Sequence, residues 1–237
     1  MTEELFRMDA YATCCEAVVT AVTADGIELD RTVFYPTGGG QPGDTGRLRR
    51  ADGVEIPIID TRKGDRPEQV LHVTPEGAAG VEVGELVTAE IDWDRRYRLM
   101  RMHTCLHVLC AVVPGAVTGG SVGDGRGRLD FDLPEPTLDK DHISDELNRL
   151  IEENHRVRFR SITDEELAAN PNLVRTMSVK PPSGQGSVRL VEIEDVDLQP
   201  CGGTHLIFTG EIGRVRVAKI EKKGKHNRRV SIVFDDV

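Results

Sequence analysis

Aromatic residues are scarce in this chain: one Trp, three Tyr and six Phe among 237 residues. That argues against an extended platform on which successive nucleic-acid bases stack. Long apolar runs are missing too. The longest, Cys105 to Val117, is interrupted by His107 and Pro114 and is too short to span a bilayer. The opening "MTEELFRMDA" has no basic stretch leading into an apolar core, which excludes a secretory signal and points to a cytoplasmic protein. Cysteine is both sparse and odd in number. Five are present, Cys14 and Cys15 being adjacent, and no paired spacing suggests a disulfide framework; free thiols or metal binding fit better. A formal net charge of -10 speaks against indiscriminate nucleic-acid binding but leaves room for local basic patches.

What is present reads as ordinary globular protein, with 38% hydrophobic and 30% charged residues. The chain divides near residue 92. Ahead of it, short alternating runs such as "EAVVTAV", "IELDRTVFY", "VEIPIID", "VLHV" and "ELVTAEIDW" are separated by turn residues, giving a β-rich, β-barrel-like domain over residues 1–91. Residues 92–237 read as a second, α+β domain with an antiparallel sheet. Its first helix carries Leu99, Met102, Leu106, Leu109 and Val113 on one buried face and ends at Pro114 and Gly115. A second helix presents Ile143, Leu147, Leu150 and Ile151. Thr163 and Glu166 have capping-box spacing and open a third, stopped by Asn170 and Pro171. "SVRLVEI", "GRVRVAKI" and "RRVSIVF" return to strand alternation, and "KPPSGQG" reads as a flexible loop.

Three short segments carry chemistry. In "HTCLH", His103 and His107 are related by i, i+4, which stacks both imidazoles on one side of the first helix. In "CGGTH", Cys201 and His205 flank Gly202 and Gly203, which let a turning backbone bring a thiol and an imidazole to one point. Together they supply four nitrogen and sulfur ligands, the number a tetrahedral zinc takes, so one zinc per chain is expected. The proteases that share a two-histidine helix need a glutamate beside the first histidine, and Thr104 stands there instead. The CxxC and neighbouring glutamate of zinc deaminases are absent. Four protein ligands also suit a purely structural zinc. The third segment, "FYPTGGGQPGDTG", holds five glycines from Gly38 to Gly46 but no Gly-Lys-Ser/Thr, and so is no nucleotide P-loop.

"HTCLH" followed far along the chain by "CGGTH", with "RLDFDL" between, resembles the editing domain of alanyl-tRNA synthetases and the free-standing AlaX-type proteins related to it. The glycine-rich segment and the closing "KGKHNRRVSIVF" resemble the medium-length AlaX group, so the likeness spans nearly the whole chain. It implies hydrolysis of misacylated alanine tRNA, releasing serine and, as an alternative, glycine, with His103, His107, Cys201 and His205 as zinc ligands. It implies action in trans, with no ATP-dependent activation. A second site is needed because serine is alanine plus one hydroxyl, which a synthetic pocket rejects weakly. An unpaired buried group left by alanine costs about 1–3 kcal/mol, about a tenfold to hundredfold discrimination.

Thr118 in "AVTGGSV", where synthetase editing domains have a glutamine nearby, is the candidate for recognising the serine hydroxyl; a threonine bonding its own backbone is the alternative. Thr104 is a second candidate. Thr37, Gly39, Gly40 and Gln41 in the first glycine segment, a loop over the editing pocket by this likeness, and Gly202 and Gly203 in the second, are candidate contacts to the aminoacylated end. Eight Lys or Arg fall between Arg214 and Arg229. Of these, Lys222, Lys223, Lys225, Arg228 and Arg229, with Arg95 ahead of the zinc helix, are candidate tRNA phosphate contacts. A solvated strand edge protected by lysines is the plainer alternative. A noncatalytic RNA-binding module with a structural zinc stays open beside the deacylase.

Overall fold

The computed structural model describes residues 2–66, 68–75, 80–133, 138–174 and 186–235. It divides into two compact units, Met1–Tyr97 and Arg98–Val237.

The first unit contains strands β1 (Glu3–Glu4), β2 (Cys14–Thr23), β3 (Gly26–Leu29), β4 (Arg31–Thr32), β5 (Gly46–Arg50), β6 (Glu55–Ile58), β7 (Asp60–Lys63), β8 (Val70–Val73) and β9 (Leu86–Ile91). Seven of them form one sheet in the order β6-β5-β9-β2-β3-β8-β7, antiparallel throughout, while β1 and β4 pair in parallel. Alternation explains which face is interior: Val87, Ala89 and Ile91 of β9 are buried, as are Ile56 and Ile58 of β6. The edge strands β6 and β7 are separated by Ile59 alone, so the sheet bends round towards itself. No ladder joins them among the described residues, which corrects the barrel-like expectation: the sheet is open. Alternation fixes which side chains point inward, but not whether two edges meet.

The second unit holds most of helix α1 (Trp93–Val112), then β10 (Ala116–Val122), β11 (Arg126–Asp132), α2 (Lys140–Glu152), β12 (Val157–Ile162), α3 (Asp164–Ala169), β13 (Val188–Ile193), β14 (Asp197–Pro200), β15 (Val215–Lys222) and β16 (Asn227–Phe234). Two antiparallel sheets result, ordered β10-β11-β16-β15 and β12-β13-β14. The unit is thus mixed α and β, with three helices among the described residues. Asp139 caps α2 by accepting from the amides of Asp141 and His142, and α3 opens with the Thr163/Glu166 capping box. On α2, Asn148 exchanges two bonds with the backbone of Val215, and Ser144 Oγ accepts from Val217 N, covering the free edge of β15.

Helix α1 departs from the one-faced expectation. Leu99, Met100 and every residue from Met102 to Cys110 are buried; Arg101 between them is only partly so. Thr104, Cys105 and Val108 fill the sides that the Leu99–Leu106–Val113 stripe leaves, so the helix is interior all round. Within the second unit it lies close over β11, where a Cβ built on Gly127 would come 2.6 Å from Met102 Sδ. No helix among the described residues is long and apolar enough to cross a membrane. Most of "KPPSGQG", residues 180–185, lies outside the described residues.

Candidate metal centre

His103 and His107 project from consecutive turns of α1, and Cys201 and His205 come from the loop that continues β14. Their ligand atoms all lie within 4.8 Å of one another. Cys201 Sγ is 3.5 Å from His103 Nε2 and 3.3 Å from His205 Nε2. Tetrahedral zinc with ordinary Zn–N and Zn–S bonds sets its ligand atoms about 3.3–3.6 Å apart, so the donor set fits that ion in type and the two Cys201–histidine distances fit it in spacing. The three histidines are buried and Cys201 is half-buried.

Surrounding groups set which ring nitrogen faces inward. His107 Nδ1 faces Gln199 Nε2 at 3.1 Å and Asp197 Oδ2 at 3.3 Å, the carboxylate also accepting from Gln199 Nε2 at 2.7 Å, which leaves His107 Nε2 for the centre. Thr104 Oγ1 lies 3.2 Å from His205 Nδ1 and accepts from Leu206 N at 3.1 Å, so His205 also presents Nε2. Arg189 Nη1 donates to the carbonyls of Cys201 and Gly203 at 2.9 and 3.0 Å, and Gly203 N reaches back to Cys201 Sγ at 3.4 Å. Two glycines in this loop let its backbone curl within reach of one guanidinium.

At Cys201 and His205 the charges agree with ligation; at His107 they favour the protonated ring, whose proton a bound metal would displace. Burial opposes the Cys201 thiolate, yet the imidazoles of His103 and His205 outweigh it and hold the thiol well below its usual range. Burial, with His103 beside it, pushes His205 well below the usual imidazole value, favouring the neutral ring that binds metal. On His107 burial is outweighed by Asp197 and Cys201, and the ring rises to about 9.

Asp197, Gln199 and Arg189 were not singled out from sequence. A signal existed for two of them: Asp197, Gln199 and Cys201 alternate along "DLQPC", placing two buried polar residues on the face of the thiol.

The other candidates are distributed more widely. Thr118 lies on β10 rather than in a loop, at a β-bulge between Val117 and Gly119. Its hydroxyl donates to Asp130 O and accepts from Asn227 Nδ2, both at 3.1 Å. The first glycine segment belongs to the first unit. Gly38 and Gln41 exchange both backbone bonds across Gly39 and Gly40, whose φ values of +57° and +83° are those of a type I′ turn. Thr37 Oγ1 accepts from Gly43 N at 2.8 Å, and Gln41 is buried. Arg95 is bonded to Gly43 O at 2.8 Å. In the basic hairpin, Arg229 forms a forked pair with Asp130, and buried Arg228 donates to Gly224 O and Asn227 O. Lys222, Lys223 and Lys225 are exposed; Lys223 pairs with Glu221 at 3.3 Å, and among the described residues no carboxylate pairs with the other two.

A cluster of three histidines and a thiolate, shared between a helix and a β-loop, is a metal-binding class of site. Comparison makes the class narrower. Residues 188–231, which take in β13, β14, Cys201 and His205, match the family model described as the threonyl and alanyl tRNA synthetase second additional domain, and residues 7–95 match class II (A) tRNA synthetases. The chain is 41% identical to the alanyl-tRNA editing protein AlaX-M of Methanosarcina acetivorans over the full length of both, and 35% identical to that of Saccharolobus solfataricus over 97% of this chain and 98% of its relative. It is also 33% identical to an alanine–tRNA ligase of Saccharolobus islandicus, matching 93% of this chain but 25% of the ligase. The chain belongs to the AlaX-M family of alanyl-tRNA editing proteins.

Proposed function

We propose that the protein is a trans-editing hydrolase that cleaves the ester of mischarged alanine tRNA, taking Ser-tRNA(Ala), with Gly-tRNA(Ala) as the alternative substrate. The observation that carries this reading is the His103–His107–Cys201–His205 cluster, whose imidazoles are buried while its thiol is only partly so. Those four residues would hold zinc, whose Lewis acidity polarises the ester carbonyl and activates water. The chain's own groups do the positioning. Asp197 fixes the His107 tautomer, Thr104 fixes His205, and Arg189 holds the carbonyls of the loop between the two C-terminal ligands.

Thr118 is the proposed reader of the serine hydroxyl. Its hydroxyl is held in place by donating to Asp130 O and accepting from Asn227 Nδ2, so the oxygen has a fixed position from which to meet a substrate hydroxyl. Alanine has no such group. Lys222, Lys223 and Lys225 are the proposed phosphate contacts, because Arg228, Arg229 and Arg95 are already engaged within the fold.

One observation favours a second reading. Four protein ligands complete a tetrahedral sphere, as in structural zinc sites. Hydrolysis of Ser-tRNA(Ala) against Ala-tRNA(Ala), with and without chelator, separates the two. The deacylase reading expects rapid loss of serine alone, abolished by chelation or by Cys201→Ala in a folded protein. Serine ester that survives the metal-loaded protein would leave an RNA-binding module.

A further inference from the structure

Directly opposed residues of an antiparallel ladder put their side chains on the same face of the sheet. Across β12, β13 and β14, Ser161 opposes Arg189, Phe159 opposes Val191, and Val191 opposes Gln199. One step beyond the last pair, Cys201 N donates to Arg189 O at 3.1 Å. A single face therefore carries Asp197, Gln199 and Cys201, then Val191 and Arg189, then Phe159 and Ser161. Burial falls along it. Val157, Ile193 and Asp197 are buried at one end; at the other, Cys201 and Arg189 are half-buried and Phe159 and Ser161 are exposed.

The open end is where the thiol stands. Arg189 lies over the Phe159 ring, 4.3 Å from its centroid, while the same guanidinium holds the Cys201 and Gly203 carbonyls. The ring is thus tied to the loop that supplies two of the four ligands. Two strand spacings and a two-residue step along the strand, about 12 Å, separate Phe159 from Cys201. Phe159 is 39% exposed, which leaves part of its ring open to a planar partner.

We propose that Phe159, backed by Arg189, stacks the terminal nucleobase of the acylated RNA and so delivers the ester of that nucleoside to the metal cluster. The inference rests on the editing reading above. A nucleobase is the occupant because the platform is one ring, cation-backed on one side, on the same sheet face as Cys201 of the cluster. Stacking on a lone ring needs no particular base edge, so this contact recognises an end rather than a sequence.

The test is binding of an uncharged tRNA with a complete CCA end, against the same tRNA lacking its terminal nucleoside, followed by fluorescence anisotropy. The wild-type protein should prefer the complete end by about tenfold. Phe159→Ala should bind both RNAs alike, Phe159→Tyr or Phe159→Trp should restore the preference, and Phe159→Leu should not, at unchanged zinc content. A preference that survives in Phe159→Ala, or that leucine restores, overturns the assignment and leaves a packing role. Deacylation by the wild-type protein is scored separately. Its absence beside an intact preference for the complete end removes the editing reading while the stacking contact stands.

Discussion

Asp44→Asn should cost more stability than any other single-atom exchange in the first unit. Arg96, wholly buried at the start of α1, forms a forked pair with Asp44, itself 1% exposed. Its remaining donors reach Ala10 O and Val33 O at 3.1 and 2.8 Å. Every partner of the Asp44 carboxylate side chain in this arrangement is a donor: Arg96 Nε on Oδ1, and Arg96 Nε, Arg96 Nη2 and Tyr35 N on Oδ2. An asparagine amide therefore faces a donor whichever way it is turned, and the guanidinium keeps its charge with no counter-ion. Breaking a buried pair from one side costs about 3–5 kcal/mol. The chain's one tryptophan, Trp93, lies against Tyr11 and Tyr97 in this unit, so its fluorescence during urea unfolding reports the right transition. The double variant Asp44→Leu/Arg96→Met should recover only part of the loss, because it removes both charges but takes their partner from Tyr35 N, Ala10 O and Val33 O. A loss below about 1 kcal/mol for Asp44→Asn would refute the argument, since that is what an exposed pair is worth.

Asp197→Ala should weaken zinc binding about tenfold to a hundredfold, read by competition with a chromogenic chelator, because His107 loses the carboxylate beside its Nδ1. His72 offers a test by pH. Burial pushes it down from 6.5 to about 4 while its rings bond Ile27 O and Thr32 Oγ1. The unfolded chain binds that proton first, so the contribution is complete above pH 6.5 and disappears as pH falls to 4, a change of about 3 kcal/mol. Urea unfolding at pH 7 and pH 4.5 should show a steeper loss for the wild-type protein than for His72→Gln, and equal slopes would sink the claim. Replacing Lys222, Lys223 and Lys225 by alanine should lower the slope of log affinity for tRNA against log salt by about 2. An unchanged slope would show that other cations carry the phosphates.

The parts legible in sequence are those in which short-range spacing dictates geometry. His103 and His107 share a side of α1 because helical repeat demands it, and the glycines of "CGGTH" announce a tight loop. The capping box at Thr163 and the alternation of β9 and β16 are equally local. What escaped notice depends on register. Arg189 reaches the centre only because it opposes Cys201 across a ladder, and Asp44 meets Arg96 across a long stretch of sequence. A run of positive charge does not reveal its partners for the same reason: Arg228 bonds the carbonyls of Gly224 and Asn227, and Arg229 pairs with Asp130. The apolar stripe of α1 was real, but Thr104 and Cys105 are small enough to be buried without lengthening it.

The loop from Cys201 to His205 is held by the protein's own bonds, through Arg189 at its carbonyls and Thr104 at its far end. Its shape is therefore settled during folding, and an arriving ion has little ordering left to impose. Loading and stripping of the cation should then be a reversible exchange carried out on an intact scaffold, so that supply of the metal, rather than turnover of the polypeptide, governs how many molecules are competent at a given moment.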